Sequence, residues 1–343
     1  MPERQTGSSL VLSCLDERGQ LAARPASGYV GAVLNDLEPL ASSPATYGFV
    51  IVLGLLWGSF ANVCIYRWPP TDEFPDGRSV VRPGSHCFAC RAPIRWYDNV
   101  PVFAWLWLRG RCRSCGAHFS SRYLLVEAVT GALFGFAWWA AVVMPTLFEP
   151  FDQRLLHFAV YATFCFVMIV VTFIDLDHKL ILNKITIPSI AIFYAASLLW
   201  PERRWYDGVV GIAIGYGLPW AIGEIYYRIT RREGLGLGDG MLLALIGALL
   251  GWRGVLVALF GGSMIGSVIG ITALVVGRTA GSAAGVAADV DPDPHGEPAP
   301  GTEEDNPSLL RTEVPFGPFL AMAALVYLFA EPWIQLHFHL PGG

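Results

Sequence analysis

The chain has 343 residues with a formal net charge of -5, and 54% of them are hydrophobic against 15% charged. With a mean hydropathy of +0.47, this composition excludes an ordinary soluble fold, and no nucleic-acid partner is expected; the bilayer is the expected solvent. Seven cysteines are present, four of them in two Cys-x-x-Cys pairs, which suits a reducing compartment and a metal better than a disulfide scaffold.

In chain order, residues 1–46 are rich in Ala, Ser and acids and are expected to form a flexible extension without a signal peptide. Residues 47–68 form the first apolar run long enough to span a bilayer, which takes roughly 20 residues per helix. Its polar end, with Asn62, Tyr66 and Arg67, suits a functional mouth and an interfacial anchor equally. Residues 69–122 are too charged for lipid and make the first loop. There Cys87, Cys90, Cys112 and Cys115 are paired knuckles separated by 21 residues, near the spacing of a zinc ribbon. Four thiolates close the coordination sphere, so the predicted zinc is structural. Pro93 and Gly116 supply tight turns, while His86 and His118 read as exposed loop residues. Cys14, Cys64 and Cys165 have no partner by spacing and read as apolar fillers.

Further apolar runs at 123–145, 155–174, 185–200, 208–227, 239–252, 254–277 and 316–335 bring the expectation to an all-α polytopic membrane protein of about eight transmembrane helices. Residues 123–277 make its core, 278–313 an acidic disordered loop, and 314–343 the last helix and C-terminus. The 67–122 loop carries nine arginines, and Lys179, Lys184, Arg228, Arg231 and Arg232 follow alternate spans, which predicts that these loops are cytoplasmic and both termini outside. The insert at 279–313 fits less well, holding eight acids. Glu127 and Glu224 are acids inside spans and could line a substrate or methyl-donor cavity.

Asp175 and Asp177 end the third span in FIDLDHKL, and Asp239 opens the sixth in GLGLGDGMLLALIGALLG, so both groups fall at the same predicted membrane face. Each taken singly reads equally well as an ordinary loop acid; convergence favours a pair. Two carboxylates at 4 Å in an effective dielectric near 20 repel by about 4 kcal/mol, so one keeps a proton while the other stays charged, and an acid and a base arise together. Such a pair can hydrolyse a peptide bond. Gly234, Gly236 and Gly238 before Asp239 let backbone approach closely.

GSFANVCIYR (58–67), the paired CFAC and CRSC, IDLDH (174–178), GLGDGMLLALIGALLG (236–251) and VPFGPFLA (314–321), in this order and spacing, resemble the type IV prepilin peptidases. The resemblance covers roughly residues 50–335. It implies an aspartyl endopeptidase of the bacterial cytoplasmic (inner) membrane, with Asp175 and Asp239 catalytic and Asp177, Gly236 and Gly238 supporting. Its substrates would be type IV prepilins or type II secretion pseudopilins, cleaved after a glycine at the cytoplasmic face. Many members then methylate the new N-terminus with S-adenosylmethionine. Leu182-Asn183 stands where the family usually has Pro-Asp, and Met241 where it usually has Lys. These departures leave open an altered substrate preference or a paralogue acting as a membrane scaffold or assembly factor. A metal-handling transporter is a third reading, and it predicts exchangeable metal.

Overall fold

The first span starts where Ser43 caps it: the Ser43 Oγ accepts the Thr46 N–H at 3.2 Å, and Pro44 occupies the first turn of α1 (Pro44–Arg67). The computed structural model describes residues 12–15, 21–24, 38–144, 150–200, 203–231, 236–284 and 315–338. Ahead of α1 the strands β1 (Leu12–Leu15) and β2 (Leu21–Arg24) pair antiparallel; the rest of the 1–37 extension lies outside the described residues.

The chain divides into two units, residues 1–170 and 171–343. In the first, α1 packs on α3 (Arg122–Trp138), which runs on through a π-helical turn at Trp139–Val143. The loop between them holds the four cysteines and the short α2 (Phe103–Trp107). Polar groups at the helix ends find partners inside the unit. Asn62 donates to the Tyr123 carbonyl at 3.1 Å, Trp138 Nε1 donates to Ala41 O at 2.9 Å, and Arg67 donates to the carbonyls of Ser79 and Gly84. Buried Arg154, on the early part of α4 (Phe151–His178), donates to Val142 O and pairs with Glu38.

The second unit holds the end of α4 and then α5 (Asn183–Ser197), α6 (Trp205–Thr230), α7 (Leu237–Ala284) and α8 (Gly317–Phe338). Residues 242–250 of α7 are apolar on every side, and Leu242, Leu243, Leu245, Ile246 and Leu249 are all but inaccessible, as expected for a helix buried all round. Gly211 and Gly247 let α6 and α7 cross backbone to backbone: a Cβ on Gly247 would lie 2.3 Å from Gly211 O, and one on Gly211 2.4 Å from Gly247 O.

Gly251 interrupts α7 with φ 67° and ψ -173°. A Cβ on Gly247 would sit 2.8 Å from Val255 Cγ2, whereas eight residues of straight helix separate their ends by about 12 Å. The chain therefore doubles back at Gly251, which only a residue without Cβ adopts readily. Among the described residues, six helices are long and apolar enough to cross a membrane. The expected count of about eight differs for two local reasons. Run 185–200 forms a helix of 15 residues, and runs 239–252 and 254–277 both lie within α7. The helix continues to Ala284, into the stretch expected to be an acidic disordered loop, and residues 285–314 lie outside the described residues.

Candidate active site

α4 ends directly beneath Asp175. Lys179 takes a left-handed conformation (φ 51°) and its N–H donates to Asp175 O at 2.8 Å. The Asp175 carboxyl is buried, and its Oδ2 accepts the N–H of Gly317, the first residue of α8, at 3.0 Å. The unpaired N–H groups and positive end of a helix are a natural seat for a carboxylate. Gly317 is required there, since a Cβ would fall 2.5 Å from that oxygen.

Asp239 is half-buried on the first turn of α7, where its N–H donates to Gly236 O at 3.2 Å. Its carboxyl lies within electrostatic reach of Asp175. The approach is set by Gly238, whose added Cβ would lie 3.2 Å from Ile181 Cβ; without it the start of α7 rests on the segment that follows α4. Gly236 leaves room beside Asp239, with an added Cβ still 3.9 Å from Asp239 Oδ2, and Gly234 lies outside the described residues. The site thus gathers Asp175, Asp239 and the Gly317 N–H, while Asp177 is exposed. Asn183 opens α5 exposed, after a Leu182 that offers no side-chain cap, and Met241 is half-buried two residues beyond Asp239. Glu224 pairs with Arg228 one turn on, at 2.7 Å.

Sequence reasoning did not assign a role to Gly317, because its contribution is a backbone N–H. It also passed over Glu331, although an acid in the apolar run 316–335 was a readable signal. Glu331 pairs with Arg203 at 2.6 Å, and the Arg203 guanidinium also donates to Leu249 O. The pair ties α8 and the start of α6 to the carbonyl freed where α7 breaks.

In the first unit the four cysteine sulfurs lie within 4.8 Å of one another. A tetrahedral zinc with Zn–S near 2.3 Å requires S···S edges of about 3.8 Å, and Cys87–Cys115 and Cys90–Cys112 lie at 3.8 and 4.0 Å. The two knuckles repeat one backbone pattern: Arg91 N–H to Cys87 O at 3.0 Å and Cys87 N–H to Ala92 O at 2.9 Å, then Gly116 N–H to Cys112 O at 2.9 Å and Cys112 N–H to Ala117 O at 2.8 Å. Arg91 and Gly116 fill the same left-handed position. Backbone N–H groups of Cys115 and Ser114 favour the thiolate of Cys112, the form that metals bind, and bring its thiol down to about 6. His86 and His118 are exposed and stand outside the cluster. These four residues fit a structural zinc.

Between the ends of α1 and α3 and this loop lies a cavity of about 350 Å³. Buried Glu127 forms part of its wall, accepting the Val102 N–H at 2.7 Å and the Ser59 hydroxyl.

Residues 52–141 match the family described as the bacterial peptidase A24 N-terminal domain, and residues 162–271 match the type IV leader peptidase family. The chain is 32% identical over 329 residues to a prepilin leader peptidase/N-methyltransferase of Myxococcus xanthus, covering 84% of this chain and 91% of that protein. A protein of the same name from Neisseria gonorrhoeae is 34% identical over 68% of this chain and 83% of its own length. One from Klebsiella pneumoniae is 35% identical over 63% and 90%. No solved structure matches the chain.

Proposed function

The chain belongs to the type IV leader peptidase family, and from that premise we propose that it is a multi-pass aspartyl endopeptidase whose Asp175 and Asp239 together cleave the leader of a type IV prepilin or type II pseudopilin. The observation that carries this reading is the convergence of two carboxyls from helices far apart in sequence, beside a helix N-terminus. Sharing one proton, the pair offers a base and an acid at once. The ionised carboxylate takes a proton from water as the water oxygen attacks the scissile carbonyl carbon, and the protonated carboxyl donates to the carbonyl oxygen. Collapse of the tetrahedral intermediate breaks the C–N bond: the departing amine takes a proton from the pair, one hydroxyl of the intermediate returns its proton to the pair as the new carboxyl forms, and one shared proton remains. Asp177 is a supporting group at the exposed edge. The new N-terminal amine is then methylated, with S-adenosylmethionine as donor, as the relatives' names suggest. Zinc held by Cys87, Cys90, Cys112 and Cys115 supplies a cross-link that folds a loop too polar to make its own core.

The site also bears on how the chain threads the bilayer. Asp175, Asp239 and Gly317 meet at one place, so each stretch between them crosses an even number of times. α6 is long and apolar enough to cross, so α5 crosses with it; α7, reversing at Gly251, crosses twice. With α1, α3, α4 and α8 the count is eight, and the aspartates face the cytoplasm, on the side of the basic loops.

Incubation of the purified protein with a leader-bearing prepilin tests the assignment. Asp175→Asn and Asp239→Asn are each expected to lower cleavage by about 10²- to 10⁴-fold, the range of general acid–base catalysis. Undiminished cleavage in either variant removes the pair from the mechanism, and a wild-type protein inert on every pilin-like substrate would instead support the scaffold reading.

A further inference from the structure

The loop between α1 and α3 is polar as a whole, yet from Val100 to Leu108 it reads VPVFAWLWL, without a charge. Too short to span, such a run suits a helix lying in the membrane interface. α2 forms inside it, and its Phe103, Leu106 and Trp107, spaced three and four apart, share one side. They are 61%, 56% and 71% exposed, and the rings of Phe103 and Trp107 stack at 6.0 Å. The other side faces the interior of the unit: Ala104 is buried, and Trp105 and Leu108 line the cavity. Trp96, 82% exposed, opens the 3-10 turn Trp96–Asn99 that packs against α2. A cluster of large exposed apolar side chains marks an interaction surface.

Glu127 fixes the level at which this surface sits. Val102, directly ahead of α2, takes φ 61°, a conformation rare for a β-branched residue, and its N–H donates to Glu127 Oε2 at 2.7 Å. Glu127 also accepts the Ser59 hydroxyl, and a Cβ on Gly58 would lie 2.6 Å from its Cα. Ser59 is about 12 Å along the helix from the α1 end at Arg67, and Glu127 about 8 Å from the α3 start at Arg122. Both helices are long and apolar enough to cross a membrane, whose polar zone is roughly 5–8 Å deep on each side. α2 therefore starts where headgroups give way to acyl chains. The flanking charges suit that depth. Arg95, Arg109 and Arg111 are exposed around the run, its one neighbouring acid, Asp98, is taken by Arg113, and Arg109 and Arg111 have no carboxylate partner among the described residues.

We propose that α2 is an interfacial anchor for phospholipid: Phe103, Leu106 and Trp107, with Trp96 beside them, insert among the acyl chains of the leaflet that the loop adjoins, and Arg95, Arg109 and Arg111 hold its anionic headgroups. Apolar and aromatic side chains at the acyl boundary, with arginines reaching the phosphates, match the two chemistries of that layer. The cysteine loop is thereby held to the bilayer at a third point besides α1 and α3.

The full-length protein tests this in nanodiscs of phosphatidylethanolamine and phosphatidylglycerol that contain a phospholipid with a diazirine near the start of its acyl chain. After irradiation, mass spectrometry locates the label. Peptides from 96–108 are expected to carry it, as are those of α1 and α3. Phe103→Glu combined with Trp107→Glu lowers the label in 96–108 about tenfold or more, equivalent to 1.4 kcal/mol, and leaves that in α1 unchanged. Exchanging both lipids for phosphatidylcholine, which carries no net charge, lowers it severalfold. Labelled spans with 96–108 unlabelled overturn the anchor, and so does label there that survives the double substitution, or cross-links that join 96–108 to a second copy of the chain in place of lipid. Equal labelling in phosphatidylcholine overturns the part given to the arginines. Should the double variant fail to fold, Leu106→Gln replaces it, and the wild-type pattern by itself still decides whether α2 meets acyl chains.

Discussion

At the residue scale the proposed aspartate pair rests on one backbone N–H, that of Gly317 to Asp175 Oδ2. Gly317 has to be glycine because its neighbour is a carboxylate oxygen, 2.5 Å from where a Cβ would stand. Gly317→Ala therefore either pushes Asp175 away from Asp239 or displaces the start of α8, and the Asp175 hydrogen bond is lost in both cases. Because a misplacement near 1 Å can cost about 10²-fold in rate, we expect kcat for leader cleavage to fall by that order with KM little changed, measured by steady-state kinetics on a synthetic leader peptide. A variant of unchanged kcat would show that the bond does not position the pair. Both aspartates were readable as acids at the ends of apolar runs, since an acid next to 20 apolar residues is conspicuous. Gly317 was not, because a backbone donor leaves no trace in residue type, and Glu127 was readable as an acid in a span although its partners Val102 and Ser59 were not.

Elements were more legible than contacts, because periodicity and apolar length report burial without reporting what lies opposite. The cysteine knuckles illustrate the first: their spacing was enough to bring four sulfurs within 4.8 Å of one another, and the backbone pattern repeats in both halves. We expect one tightly held zinc per chain by elemental analysis. In Cys112→Ser that zinc is lost and residues 69–122 become susceptible to proteolysis, while metal that exchanges freely in the wild type would argue for transport instead. The crossing of α6 and α7 illustrates what was hidden. A glycine in an apolar run gives no sign that another backbone lies against it, yet a Cβ on Gly247 would come 2.3 Å from Gly211 O. Backbone contact leaves no flexible group to yield, so Gly247→Ala forces the helices apart, an overpacking cost of about 1–3 kcal/mol. Thermal unfolding in detergent should show a lowered midpoint, whereas Gly217→Ala, with open space around an added Cβ, should leave it unmoved and serves as the control.

At the scale of the whole molecule, the number of crossings follows from where three residues meet. α5 is short for a span: 15 residues reach about 22 Å against a hydrocarbon core near 30 Å, and Pro188 lies within it. Length alone would leave it in the interface, and then α6 would carry Asp239 to the face opposite Asp175. The proposed pairing of the two carboxyls, which lie within electrostatic reach of each other, needs both on one face, so the proposed topology has α5 cross, with local thinning of the bilayer or the flanking Leu198–Trp200 turn covering the deficit. The same parity applies to α7, because Asp175 holds the N–H of Gly317 and the chain must return after Gly251. Reporter fusions test both inferences together. Truncations fused after residues 181, 231 and 284 should fluoresce as green fluorescent protein fusions, which mature inside the cell, and those fused after 203 and 252 should be active as alkaline phosphatase fusions, which need the outside. An active phosphatase at 284 would mean that α7 crosses once, and one at 231 that α5 does not cross; either result would separate the residues on which the proposed pair depends.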